Sequence, residues 1–224
     1  MRTVAADRGW QSSPEPMLLA LAIILLTAAL AAVVLQLLIP WIAERRISER
    51  LTESGGEARV RVDALPALRL LRHDGDRLKV RGEQLVIGLS NDGSGGLTAL
   101  DGFDEVEVVL TDFVTGPFRI SEFVLRRSGQ GPYVMTTHAL TSGAELVRYG
   151  GAQVKFLPAA LLGSLTRAPL GGREFPVEVE VELRSEEGRL RIASGGGTIA
   201  GYPAGPIAAV VTAAVARRLE IGVA

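Results

Sequence analysis

Residues Met17 to Ile39, "MLLALAIILLTAALAAVVLQLLI", contain no charge over 23 positions. Nothing else in the chain restricts its folding as much. As a helix rising about 1.5 Å per residue, the run extends ~35 Å, slightly more than a ~30 Å hydrocarbon layer. A modest tilt absorbs the excess. Helices in soluble cores rarely stay uncharged this long, so the run predicts a single transmembrane helix. Pro40 closes it, and Trp41 suits the boundary between lipid and water. Ala29-Leu30-Ala31 also resembles a signal-peptide cleavage site. The apolar stretch continues eight residues past Ala31, which suits an uncleaved signal anchor better. The expected division is an N-terminal tail over 1–16, an anchor over 17–40 and an α+β domain over 41–224.

Charge says little about orientation. Arg2, Arg8 and the amino terminus lie before the run, and Arg45, Arg46 and Arg50 lie after it. By themselves the flanking cations lean slightly towards a cytoplasmic C-terminal domain.

Composition narrows the chemistry. The chain has 224 residues, formal net charge −1 and no cysteine. The length fits an anchor and one substantial domain. No basic footprint for nucleic acid is present. Disulfides, thiolate chemistry and cysteine-ligated metals are excluded. His73 and His138 are the two histidines. Asp74 and Asp76 beside His73 could form a divalent-metal patch, but a polar turn explains them better, because no second histidine or ordered ligand spacing accompanies them. His138 lies within an expected strand. "SGGGTIAG" at 194–201 lacks the Lys-Ser/Thr ending of a phosphate-binding loop and reads as a flexible turn. No enzyme active site, metal site or cofactor is expected.

After the anchor, Ile42, Ile47 and Leu51 predict an amphipathic helix stopped by Gly55-Gly56 and broken or kinked near Pro40. Strands are expected at "ARVRVDA", "RLKVRGEQLVIGL", "DEVEVVLTDFV", "PFRISEFVLRR" and "PYVMTTHAL". The loop "SNDGSGGLTALDG" reads as a flexible excursion. In "FPVEVEVELRSEEGRLRIAS", Val177, Val179, Val181 and Leu183 alternate with Glu178, Glu180 and Glu182. That alternation predicts a strand with one buried and one acidic face. A turn over Ser185–Gly188 would set Leu183 opposite Leu190, Val181 opposite Ile192 and Glu182 opposite Arg191. Further helices are expected over Pro158–Thr166 and from Pro206 to Glu220. Many strands with few connecting helices predict an α+β fold: a transmembrane helix, then a curved antiparallel sheet wrapped around one or two helices.

The helix "AERRISERL", a short strand, the Pro-containing apolar "DALPALRLL" and a following Gly75 with the strand "DRLKV" resemble the actinobacterial LmeA-type phospholipid-binding family. The resemblance spans about residues 42 to 220. Ala64 and Ala67 depart from the glycine and the aromatic residue common there. The resemblance implies a non-catalytic domain of the cell envelope, outside the plasma membrane, with a tubular lipid-binding fold whose apolar groove takes acyl chains. Its lipid-contacting residues would be Leu65, Pro66, Leu68 and Leu71, with Phe156, Leu157, Leu161 and Leu162 from "VKFLPAALLGSL". Arg69 and Arg72 would meet the head group. The leucines of 65–71 are then expected to face an apolar interior that is partly an open groove. Membrane lipid is the expected partner, with other envelope proteins beside it. The alternative is a non-catalytic scaffold for envelope biosynthetic enzymes, with the same fold and a filled core.

Overall fold

A computed structural model describes residues 15–88, 97–145, 148, 174–186, 189–199, 202–203 and 205–219. The helix expected at 158–166 and residues Phe156, Leu157, Leu161 and Leu162 lie outside these.

Helix α1 spans Glu15–Thr52 and includes Pro40. Of the break or kink expected near Pro40, a break is absent, since the helix runs through the proline. A proline inside a helix removes one N–H and so leaves one carbonyl, here that of Gln36, without its helical donor. The helix has two regimes. Residues 18–35 are exposed on every side. From Gln36 onward a stripe turns inward, with Ala43, Ile47 and Leu51 buried and Ile39 packed against the same core. Ile42, expected in this stripe, is exposed, because the buried positions follow a spacing of four through 39, 43, 47 and 51.

The stripe packs on β1 (Glu57–Asp63) and on a 3-10 turn over Ala67–Arg72. The chain continues as β2 (Gly75–Glu83), β3 (Val86–Ile87), α2 (Thr98–Asp101), β4 (Phe103–Thr115), β5 (Phe118–Ser128) and β6 (Tyr133–Ser142). Then come β7 (Glu174–Glu186), β8 (Arg189–Ile199), β9 (Tyr202–Pro203) and a final helix, α3 (Gly205–Arg218). The fold is α+β. One open sheet runs in the order β1-β2-β4-β5-β6-β7-β8-β9, with β3 beside the end of β4.

The sheet is mostly antiparallel, but β2 and β3 both pair with β4 in parallel. This corrects the all-antiparallel expectation. The segment read as one strand after Arg77 divides at Gln84, whose φ is 55°. The chain then crosses over instead of turning back. The expected loop before Phe103 ends in α2, where Leu97, at the helix N-cap, and Leu100, three residues on, are both buried.

Alternation sorts the strands into two faces. Inward lie Leu78, Val80, Val108, Leu110, Phe123, Leu125, Met135 and Leu183, all fully buried. Each contributes about 1.5–3 kcal/mol by leaving water. Phe113 and Phe123 meet edge to face at 6.2 Å. Outward, charges pair between strands: Arg77 with Glu105 at 2.6 Å and Lys79 with Glu107 at 2.7 Å. The Lys79 ammonium is the main reason that the Glu107 carboxyl is held below its ordinary pKa. Helix α3 packs on β7 and β8, and Arg218 reaches Glu53 beyond the end of α1.

The hairpin has the expected faces but another register. Glu178, Glu180 and Glu182 are exposed, while Val177, Val179, Val181 and Leu183 are buried. Leu183, however, lies opposite Ile192, Glu182 opposite Ser194 and Val181 opposite Gly195. The ladder closes at Glu186 with Arg189, two residues tighter than a Ser185–Gly188 turn. A bulge between Glu182 and Leu183 then shifts the rest. The glycines of 195–197 are strand, not flexible turn. A Cβ at Gly195 or Gly197 would stand 2.4 or 2.3 Å from the backbone oxygen of Glu180 or Glu178. Glycine there lets the two backbones approach.

Gly102 sits where α2 meets β4. A Cβ there would lie 1.9 Å from the His73 oxygen, and the Gly102 oxygen accepts from the Gly75 N–H at 3.1 Å. Gly102→Ala is expected to destabilise the domain by about 1–3 kcal/mol through overpacking against backbone. A denaturation midpoint equal to that of wild type would contradict this account of the β2–β4 junction.

Candidate functional site

Residues Ala67 to Arg72, "ALRLLR", form a 3-10 helix. With about three residues per turn, side chains three apart stack in rows. Ala67 and Leu70 form one row and are buried. Arg69 and Arg72 form a second. Leu68 and Leu71 form the third, and Leu65 precedes them at the same spacing. Leu65, Leu68 and Leu71 are 73%, 52% and 49% exposed, and Pro66 is exposed with them. The expectation that these leucines face an interior is therefore overturned. The inward row is the neighbouring one, and Leu70 is the leucine that closes the core.

Gln36 of α1 places this turn. Its Nε2 donates to the Ala64 oxygen at 2.8 Å, and its Oε1 accepts from the Ala67 N–H at 2.8 Å. One amide thus satisfies a backbone acceptor and a backbone donor on either side of Leu65-Pro66. Nothing in the reading of the sequence singled out Gln36. The one side-chain amide in an apolar run whose other polar group is the Thr27 hydroxyl was the available signal.

The cationic row is partly occupied. Arg69 Nε and Nη2 grip Asp74 at 3.0 and 2.8 Å, and Nη1 also bonds Asp76. Asp76 in turn accepts from the Leu65 N–H at 2.8 Å. Arg69 therefore braces the turn, and its guanidinium is the main reason that the Asp74 carboxyl is held below its ordinary value of 3.8. Arg72 is exposed at the end of the turn. Both carboxylates beside His73 are spent on Arg69, so they need no metal ion. Among the described residues no three His, Cys, Asp or Glu side chains group as metal ligands. His138 lies on the exposed face of β6, with Nδ1 3.9 Å from Glu178.

A second polar cluster joins α2 to the strand ends. Asp101 accepts from Tyr133 Oη at 2.9 Å and from Ser185 Oγ at 2.5 Å. Arg127 donates to the oxygens of Leu100, Asp101 and Phe103, and its guanidinium lies 4.7 Å from the Tyr133 ring centre. Burial, followed by the Asp101 charge, pushes the Tyr133 pKa well up. These groups are engaged with one another and fasten four strands together. Two open depressions on the described surface are lined by charged side chains such as Arg77, Lys79 and Glu107, with Val106 and Val134, or Arg59 and Arg81, with Val109.

The chain matches no family model, no curated protein and no solved structure.

Two outcomes test the architecture of the turn. Gln36→Leu leaves the Ala64 oxygen and the Ala67 N–H without partners, a loss of about 1–3 kcal/mol. Hydrogen exchange at the Ala67 amide should accelerate, and unchanged protection would show that Gln36 does not hold the turn. The second concerns acid. A carboxyl with a lowered folded pKa stabilises the fold above its ordinary value and loses that contribution as pH falls through the lowered value. The wild-type denaturation midpoint should therefore fall below pH 3.8 by more than that of Asp74→Asn, whose side chain does not titrate. Parallel pH profiles would remove Asp74 from this role.

Proposed function

We propose that this chain is a membrane-anchored protein of the cell envelope that binds phospholipid, or a related lipid, without catalysis. In this reading its domain lies outside the plasma membrane, and the resemblance to the LmeA-type family outweighs the near balance of flanking charge. One observation carries the proposal. The segment that bears the resemblance presents Leu65, Pro66, Leu68 and Leu71 outward, beside a helix long and apolar enough to cross a membrane. Other exposed apolar side chains of the described domain, such as Val114, Leu140 and Ile192, stand singly on strands, whereas these form a row on one turn.

Acyl chains would lie along the leucine row, with the sheet curling around the helices as in tubular lipid-binding folds. Each methylene withdrawn from water contributes about 0.8 kcal/mol. Arg72, next along the turn, would face the phosphate, since Arg69 is already paired with Asp74 and Asp76. Binding rather than catalysis fits a domain whose convergent polar groups are spent on its own structure.

A second reading keeps the anchor and removes the ligand. The inner face of β2, β4, β5 and β6 is filled by side chains with no exposure, including Leu78, Val108, Phe123 and Met135. That filled face favours a scaffold for envelope enzymes. Leu68→Asp separates the two, because an exposed position accepts a carboxylate without burying it. The expected result is an intact circular dichroism spectrum and at least a tenfold loss of phospholipid phosphorus co-purifying with the full chain. Each 1.4 kcal/mol of lost contact corresponds to tenfold in affinity. A folded variant carrying its full phospholipid load would favour the scaffold.

A further inference from the structure

We infer that the row of Leu65, Leu68 and Leu71 is inserted in the leaflet from which α1 emerges, so that the domain has a second membrane contact and a set orientation. This rests on α1 as the membrane span and does not require the domain to bind a lipid of its own.

The argument is one of level. From Met17 to Gln36 there are 20 residues. At about 1.5 Å each they traverse a ~30 Å hydrocarbon layer. With the uncharged run ending at Ile39 and Trp41 at the boundary, Gln36 therefore lies in the last part of the helix within the leaflet, and it is the residue that bonds Ala64 and Ala67. The leucine row projects from the segment held at that depth.

The turn has no freedom to withdraw. No linker separates anchor from domain, because α1 runs unbroken to Thr52. Above Gln36 its side chains also bind β1: Glu44 Oε1 accepts from the Val62 N–H at 2.9 Å, and Ser48 Oγ donates to the Ala58 oxygen at 3.0 Å. The depth of the helix consequently dictates the depth of the turn. The helix itself remains apolar at this height, with Leu35, Leu37, Leu38 and Trp41 exposed. The helix and the turn packed against it thus both present apolar side chains outward.

Charge follows the same order. Arg72 ends the turn, and Arg45, 5.6 Å from the Trp41 ring centre, lies one helical turn beyond that tryptophan. The charges that share the turn with the row, Arg69, Asp74 and Asp76, are paired with one another, and the cations at its end match an interfacial element on an anionic membrane.

The absence of cysteine makes the test direct, since any introduced cysteine carries the sole label. Leu65→Cys, Leu68→Cys and Leu71→Cys in the full chain are spin-labelled and reconstituted in vesicles of phosphatidylcholine and phosphatidylglycerol. Leu26→Cys serves as the bilayer control and Arg61→Cys, on the outer face of β1, as the aqueous control. The expected result is that labels at 65, 68 and 71 collide with oxygen more than with a water-soluble nickel chelate, as at 26 and opposite to 61. Labels at all three positions that behave like 61 would overturn the inference. So would labels shielded from both reagents, which would mean that a second copy of the chain covers the row. If the labels report lipid while Leu68→Asp keeps its full phospholipid load, the membrane contact stands and the proposed binding function falls.

Discussion

Two hydrogen bonds made by one side-chain amide join the apolar run of this chain to its folded domain. Gln36 belongs to the uncharged run, yet its amide is complementary to the backbone of the 64–67 loop. An amide without such partners would be costly at the edge of an apolar layer. Gln36 holds the loop from which the 3-10 turn starts, while Glu44, Ser48 and the stripe of Ala43, Ile47 and Leu51 hold β1 against α1. The polar interruption that looks like a flaw in an anchor sets the geometry of the domain.

The sheet reflects a simpler rule. Period-two alternation assigns Val177, Val179, Val181 and Leu183 inward and Glu178, Glu180 and Glu182 outward, and the structure agrees. Face is a local property of a strand and can be read residue by residue. Register is not, because it depends on where the turn closes and on each bulge. The turn between Glu186 and Arg189 and the bulge at Glu182 together set Val181 opposite Gly195, not Ile192. Crossover is likewise a non-local feature. The parallel pairing of β2 with β4 depends on the backbone at Gln84 and on the short helix carrying Leu97 and Leu100, and neither shows as a strong period.

The candidate site was half legible for the same reason. A spacing of three groups Leu65, Leu68 and Leu71 correctly. It cannot say whether that row or the adjacent one, Ala67 and Leu70, turns inward. The choice is made by α1, whose Gln36 takes the Ala67 N–H and so draws that row towards the core. Arg69 and Arg72 look equivalent in sequence, but Asp74 and Asp76 claim the first and leave the second exposed. Long-range partners decide the site, and a short motif does not contain them.

Strand β1 is the outermost of the sheet, and an outermost strand offers unpaired backbone groups to any other chain. Here Glu44 and Ser48 of α1 occupy two of those groups, at Val62 and Ala58. The helix that is long and apolar enough to cross a membrane therefore also seals the margin of the described sheet. Cleavage after Ala31 would spare this seal, whereas trimming the chain back to Gly55 would strip it away together with the stripe of Ala43, Ile47 and Leu51. A version cut to be soluble would then carry a bare, seven-residue template for strand addition and fibre growth.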